Sequence, residues 1–92
     1  MKIAGKRLKL ADKVSFRPIG DEGVVLLIET GQLFSLNATG AAFVKLLGET
    51  PDADAAMAVL QAQFDVDKST LASDLETLVE AMVARGILVF DT

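Results

Sequence analysis

The side chains of this chain that could do chemistry are hydroxyls, carboxylates and amines, because it has no cysteine and no histidine. A serine nucleophile needs a neighbouring base, most often histidine, so its serines lack the usual means of activation. A lysine base is conceivable, but no motif marks one. Without cysteine there are also no disulfides, thiolate zinc sites or iron–sulfur clusters. We therefore expect a protein that is not an enzyme, with no catalytic residue, no metal site and no cofactor.

The paired carboxylates have a structural explanation. Asp52 with Asp54, and Asp65 with Asp67, stand at the predicted starts of helices, where aspartate caps free backbone N–H groups. The Asp65-x-Asp67 pair lacks the glycine and the distal glutamate of a calcium-binding loop. The glycines form no phosphate-binding motif, and residues 20–23 are typical of a turn. These residues predict caps and turns.

Charge is distributed unevenly along the chain. Of nine basic residues, six lie in residues 1–17 beside a single acid, whereas the remainder carries twelve acids and three bases, and the net charge is −4. The basic segment alternates with period two, so an extended strand would have one apolar and one cationic face. The cationic face is either a solvated surface or a docking surface for an acidic segment or partner protein. Its residues are Arg7, Lys9, Lys13 and Arg17, and the apolar face holds Leu8, Leu10, Val14 and Phe16.

Strand signals dominate to about residue 37. Pro18 suits a strand end or an edge, and the turn at 20–23 follows it. Residues 24–29 are aliphatic and β-branched, which predicts a buried strand. A tight connection at 29–32, with Gly31 able to take positive φ, leads to a short strand at 33–36. The pattern predicts a three-stranded meander or two linked hairpins.

Helix signals dominate afterwards, so the chain has an α+β pattern. Asn37 is a good N-cap for a helix over about 38–47, with Gly48 just beyond it. Thr50 is the predicted N-cap of a second helix, with Pro51 and Asp52 in its first turn. A third helix is predicted from about Ser69 to Arg85, ending at Gly86, and residues 87–90 form an extended tail, long enough to pack or to add a minor strand.

The third helix has an apolar arc of about 140°, wider than a one-sided core contact requires. Two interpretations stay open. Either the helix is central in a small core, or one margin of the arc lines a groove for a ligand. Its central stripe is Leu71, Leu75, Leu78 and Met82, one margin is Ala72, Val79 and Val83, and the other flank is Thr70, Asp74, Thr77, Ala81 and Arg85.

Neither a membrane span nor a signal peptide is predicted. The longest apolar run, residues 24–28, has five residues, whereas a spanning helix needs about 20. No apolar stretch of about 7–15 residues follows the basic N-terminus. We therefore expect one cytoplasmic domain over residues 1–92.

Two segments of the sequence resemble the PqqD-like family, also called RiPP recognition elements. After three short strands, residues 36–42 (Leu-Asn-Ala-Thr-Gly-Ala-Ala) open a helix, and residues 74–88 look like the family's closing helix with its Arg-Gly-Leu-Leu-type end. Residues 60–67 also fit, and the resemblance covers about residues 14–90. The stretch 30–40 is most similar to stand-alone members that serve lasso-peptide maturation, although Phe34 stands one position later than the aromatic residue of their pattern.

The resemblance implies a winged helix-turn-helix-like fold that binds the leader segment of a ribosomally made precursor peptide. The leader would add a strand to the edge of the third strand and lie against the third helix. It would then be presented to a modifying enzyme, such as a leader peptidase, a cyclase or a radical SAM enzyme. The basic face of the N-terminal segment could attract an acidic leader or dock that enzyme. The peptide-binding residues expected on this basis are Gln32, Leu33, Phe34, Ser35, Leu36, Leu71, Asp74, Leu75 and Leu78.

Two rival functions remain at this stage. A winged-helix nucleic-acid binder would share the topology, but its recognition helix should be basic, whereas Asp74, Glu76 and Glu80 make the third helix acidic. A homodimeric scaffold without peptide affinity is harder to exclude, because an open edge could pair with its own copy. We expect a peptide and an enzyme as partners, no nucleic acid or membrane, and either a monomer or a homodimer.

Overall fold

A computed structural model describes residues 2–91. Within that range a meander of strands comes first, the helices follow, and a last short strand returns towards the N-terminal segment. The elements in order are β1 (Leu8–Leu10), β2 (Val14–Ile19), β3 (Glu22–Leu27), β4 (Gln32–Leu36), α1 (Ala38–Glu49), α2 (Ala53–Phe64), α3 (Lys68–Ala84) and β5 (Leu88–Phe90).

Strands β2, β3 and β4 form an antiparallel three-stranded sheet in that order. In its register Val25 lies opposite Phe16 on one side and opposite Phe34 on the other, so these three side chains share one face. That face packs against the helices, because Val25 is fully buried and both phenylalanines are packed against the core. The predicted α+β, winged helix-turn-helix-like fold, with this sheet followed by three helices, is confirmed.

The basic N-terminal segment is two strands, so the prediction of a single alternating strand is wrong. Lys13 has a left-handed backbone (φ 63°) and turns the chain between β1 and β2. β1 leaves the three-stranded sheet and pairs antiparallel with β5. The C-terminal tail therefore adds a minor strand, one of the two outcomes that the sequence allowed.

The connection between α1 and α2 also differs from the prediction. α1 continues through Gly48 to Glu49, and Thr50 is its C-cap. The N-cap of α2 is Asp52, whose carboxylate accepts from the N–H groups of Asp54 and Ala55. Thr50 and Pro51 do not start α2, because the N-terminal segment holds this link extended. The Leu8 N–H donates to the Pro51 carbonyl (3.2 Å), and Arg7 bridges to Asp52.

The core lies between the helix-facing side of the sheet and the three helices. In α3 the four buried side chains are Leu71, Leu75, Val79 and Met82, so this helix is central in the core, as one of its two interpretations held. No polar or charged residue in 2–91 is buried. Over the same range, none of the helices combines the length and apolarity that crossing a membrane requires.

Candidate functional site

The outer edge of β4 presents unpaired backbone groups. The Ile28 N–H donates to the Lys13 carbonyl (3.0 Å), which fixes the even-numbered residues of β3 as those that hydrogen-bond to β2. Since backbone groups alternate sides along a strand, the odd-numbered residues of β3 bond to β4. Through the register, Phe34 pairs inward. The N–H and C=O groups of Leu33 and Ser35 therefore point away from the sheet.

No segment in residues 2–91 covers this edge, because β4 has β3 as its single strand neighbour and β5 pairs with β1 elsewhere. The opposite edge of the sheet, on β2, is less able to pair with a further strand. Pro18 lies at one of its outward-facing positions, and proline has no N–H to offer a further strand. The sheet therefore has one edge that favours strand addition, and it is β4.

A groove of about 200 Å³ lies where the end of β4 meets α3. Leu36 and Leu75 are almost fully buried at its floor, with 2% and 1% exposure, and Leu78 is half-buried beside them. The start of α1 forms one end, where Asn37 caps the helix by accepting from the Gly40 N–H (2.9 Å). The groove is lined by Ser35, Leu36, Asn37, Thr39, Gly40, Asp74, Leu75 and Leu78.

Glycine at position 40 lets α1 and α3 approach closely at this point. A Cβ atom there would lie 2.9 Å from the Cδ2 of Leu78 and 3.4 Å from the Cδ2 of Leu36. A larger residue would push Leu78 from its place. The missing side chain of Gly40 therefore helps to set the shape of the groove.

One flank of α3 forms the long wall opposite β4. Its members recur at i, i+4, i+7 and i+11, which places them on one helix face. Asp74 and Leu78 line the groove, and the guanidinium of Arg85 lies over the Phe34 ring, 5.2 Å from its centroid. This is the flank that holds Asp74, and it lies on the other side of α3 from the margin formed by Ala72, Val79 and Val83. The wall consists of Asp74, Leu78, Ala81 and Arg85.

Most of the sequence-predicted peptide-binding residues lie close together. Ser35, Leu36, Asp74, Leu75 and Leu78 line the groove. Phe34 is joined to the wall through Arg85, while Gln32 and Leu33 lie on β4 beyond the groove, with Leu33 68% exposed on the face away from the helices.

Leu71 is the exception among these residues. It is 4% exposed and lines a separate cavity of about 380 Å³ between α2 and α3, where Met57 and Ala72 are among its neighbours. It lies one helical turn before Leu75, but that turn faces α2. The structure does not bring Leu71 to the groove beside β4.

Five residues of the site were not predicted to bind peptide. Asn37 had been interpreted as a helix cap, Thr39 and Gly40 as part of the family-like opening of α1, and Ala81 and Arg85 as members of one flank of α3. The sequence had placed Arg85 on the same flank of α3 as Asp74, and what only the structure shows is that this flank reaches Phe34 of β4.

The four basic residues expected to dock a partner do not share one surface. Arg7 and Lys9 approach the carboxylate of Asp91, at 3.9 and 4.0 Å. Lys13 approaches Glu29 at 3.8 Å on the β2–β3 side of the molecule. Arg17 is exposed on the sheet face away from the helices, and it forms no ion pair within residues 2–91. The break at Lys13 separates the first two from the last.

Among residues 2–91 no group of three or more acidic side chains could hold a metal ion. The groove instead offers an apolar floor, a polar rim and unpaired backbone donors and acceptors. This combination is suited to binding an extended peptide, because a guest strand can satisfy the edge while its alternate side chains enter the groove.

Comparison with known proteins is consistent with this geometry. Residues 22–88 match the family described as Coenzyme PQQ synthesis protein D (PqqD). The structure of TbiB1 in complex with the TbiA(beta) leader peptide is similar, with a TM-score of 0.79, 31% sequence identity, and coverage of 87% of this chain and 93% of that chain. Lasso peptide synthetase B1 complexed with the leader peptide has a TM-score of 0.77, 20% identity, and coverage of 90% and 98%. At that identity the second likeness shows the fold alone. No curated protein matches the chain in sequence.

Proposed function

This chain belongs to the PqqD family, and from that premise we propose that it binds the leader segment of a ribosomally synthesised precursor peptide by strand addition. Residues 1–92 act as one peptide-recognition domain that presents the precursor to a tailoring enzyme or leader peptidase. The similarity to TbiB1, which is in complex with a leader peptide, supports the class of ligand. The role is binding and delivery in the cytoplasm, and no residue is assigned to catalysis.

The observation that carries this proposal is the open edge of β4 beside the groove. Leu33 and Ser35 offer two outward N–H groups and two outward carbonyls, and the half-buried Leu78 offers apolar surface next to them, beside the almost fully buried Leu36 and Leu75. About four backbone hydrogen bonds contribute roughly 1 kcal/mol each. One or two apolar anchors add about 2 kcal/mol each. Together these terms correspond to an affinity near the micromolar range.

The partner enzyme is a leader peptidase, a cyclase or a radical SAM enzyme. We propose Arg7, Lys9, Lys13 and Arg17 as candidates for its docking, in two groups separated by the turn at Lys13. Arg17 is the strongest member, because the other three already lie near carboxylates of this chain. An acidic patch on the enzyme would complement it.

A homodimeric scaffold is the second candidate function. The same edge could pair with its own copy, and Leu33 is exposed beside it. The two functions differ in what pairs with the edge of β4, a peptide or a second copy of the protein. Self-association would be strongest without peptide, and a bound peptide would compete with the second copy.

A proline substitution at Leu33 tests whether peptide binding uses the open edge of β4, because it alters that edge without unfolding the protein. The Leu33 N–H points outward, so Leu33→Pro removes a donor from the open edge and leaves the hydrogen bonds to β3 in place. Leu33→Ala is the matched control, because it keeps the donor and shortens the same exposed side chain.

The probe is a phage-displayed library of random peptides about twelve residues long, enough to pass β4 in extended form. Peptides selected on the wild-type protein are synthesised with a fluorescent label, and their affinities are measured by anisotropy. We expect Leu33→Pro to weaken binding by about tenfold or more, and Leu33→Ala to change it by less than about threefold. Circular dichroism confirms that both variants keep their helices. If no selected peptide is sensitive to Leu33→Pro in the folded variant, strand addition at β4 is refuted.

A further inference from the structure

The wall of α3 has a charge at each end, and the two charges have opposite signs. Asp74 and Arg85 are eleven positions apart, which is three turns, so both lie on the face towards β4. Between them this face carries Leu78 and the small side chain of Ala81. The wall therefore has an acidic end within the groove, an apolar middle and a basic end beyond the groove.

The two charges of the wall meet β4 at different points. Asp74 lines the groove together with Ser35 and Leu36, at the C-terminal end of β4. Arg85 lies over Phe34, the middle residue of the strand. α3 therefore runs antiparallel to β4 across the groove, and a guest strand lying between them passes from one charge to the other.

Arg85 is placed where it can recognise a carboxylate. Its guanidinium carbon lies over the Phe34 ring, 5.2 Å from the centroid, which is the range of a cation–π contact. The residue is exposed, and a guanidinium in such a contact can still donate two parallel hydrogen bonds to one carboxylate. Within residues 2–91 no carboxylate forms an ion pair with it.

Asp74 is exposed at the other end, and the remaining polar side chains around it are the neutral Ser35, Asn37 and Thr39. No lysine or arginine lines this part of the groove. A basic side chain of a guest peptide could therefore pair with the Asp74 carboxylate without competition from a basic residue of the groove lining.

We infer that the groove selects peptides by the order of their charges, with a basic residue at the Asp74 end, apolar residues in the middle and an acidic residue at the Arg85 end. This inference rests on the proposed strand addition. The sheet is antiparallel throughout, and a guest that continues this pattern runs antiparallel to β4, from the Asp74 end to the Arg85 end. Its basic residue therefore precedes its acidic residue in sequence.

The spacing of the two charges follows from helix and strand geometry. Eleven helical residues rise by roughly 16 Å, and an extended chain covers that distance in about five residues. Because side chains alternate between the two faces of a strand, both charges can face α3 only when they are an even number of residues apart. The favoured guest sequence is thus a lysine or arginine followed, about four or six residues later, by an aspartate or glutamate, with apolar residues between them at alternate positions.

The experiment uses the same displayed peptide library on two forms of the protein. One is the wild type and the other is the exchange variant Asp74→Arg with Arg85→Asp, which has the same composition and net charge. We expect wild-type selections to enrich the basic-then-acidic order and the exchange variant to enrich the reverse. For synthetic peptides of the two orders, the preference of each protein should be about tenfold, since two partly exposed ion pairs change from attraction to repulsion.

A single substitution covers the case in which the exchange variant folds poorly. Asp74→Lys should weaken a basic-then-acidic peptide by about fivefold and should bind better when the basic residue of the peptide is changed to glutamate. Glu76→Lys is the matched control, because it makes the same change of charge on the flank of α3 that faces away from β4. Raising the salt concentration to about 0.5 M should reduce the discrimination.

The outcomes separate the inference from the function on which it rests. Peptides that depend on the Leu33 N–H but show no charge order, or the same order in both proteins, would overturn the inference and leave strand addition intact. A library that yields no peptide sensitive to Leu33→Pro would overturn both. Enrichment of the acidic-then-basic order by the wild type would contradict the antiparallel direction of the guest.

Discussion

At the scale of single residues, two glycines of α1 differ in the space that surrounds them. A Cβ at Gly48 would meet nothing within 4 Å, whereas a Cβ at Gly40 would lie 2.9 Å from the Cδ2 of Leu78. Both positions are helical, so alanine would favour the helix at either one. Gly40 differs because its neighbour, Leu78, lines the groove.

Replacing each glycine by alanine therefore tests the role of Gly40 in the groove. We expect Gly48→Ala to raise the free energy of unfolding by about 0.5–1 kcal/mol, with no effect on peptide affinity. Gly40→Ala should change stability by less than about 1 kcal/mol, because the end of Leu78 can move aside. It should weaken peptide binding several-fold, since Leu78 moves within the groove. Urea unfolding and anisotropy titrations measure the two effects, and equal affinities for both variants would contradict the argument.

At the scale of elements, β4 has two kinds of backbone position. Its even-numbered residues pair with β3, and its odd-numbered residues face outward. Binding of a guest strand would change the surroundings of the outward-facing, odd-numbered backbone groups alone. The edge of β2 lacks this capacity at Pro18.

Amide hydrogen exchange resolves this alternation without any substitution. In the free protein the N–H groups of Leu33 and Ser35 should exchange fast, while those of Phe34 and Leu36 are protected by β3. A bound peptide from the library should slow exchange at Leu33 and Ser35 by about tenfold or more, as each N–H gains a hydrogen bond. NMR detection at single residues is suited to the measurement. Strong protection of Leu33 in the free, dilute protein would indicate that the edge is already paired.

At the scale of the whole molecule, stability comes from an apolar core, and charge contributes little to it. The buried residues in 2–91 are apolar apart from glycine. The ion pairs that join the termini and the β2–β3 side are long, at 3.8–4.0 Å, and partly or largely exposed. Pairs of this kind contribute little, because water and salt screen them.

The folded state should therefore be nearly insensitive to salt, in contrast to the charge-dependent choice of peptide. Between about 0.02 and 0.5 M sodium chloride we expect Tm to change by less than about 5 °C. Asp91→Asn weakens the contacts with Arg7 and Lys9, and the change in Tm that it causes should also be less than about 5 °C. Differential scanning calorimetry provides the measurement. A fall in Tm of more than about 10 °C would show that the surface charges stabilise the fold more than their geometry indicates.

The sequence by itself determined the order of the elements, because their boundaries depend on local interactions. Asn37 caps α1 as predicted, and Gly31 and Gly86 take positive φ where the chain must turn. The helical period of α3 predicted three of its four buried residues, but Val79 is buried in place of Leu78, which lies in the groove. The family resemblance added the strand edge and the helix between which a peptide would lie.

Only the tertiary structure decided how these elements meet, since those contacts join residues distant in sequence. Two long-range contacts changed the predicted segments: β5 pairs with β1 at the N-terminal end, and Leu8 holds the link between α1 and α2 extended at Pro51. Packing against α2 turned Leu71 away from the groove. The contact of Arg85 with Phe34 brought together two residues that no local pattern connects. Periodicity shows which residues share a face of α3, but which neighbour that face meets depends on how the whole chain packs.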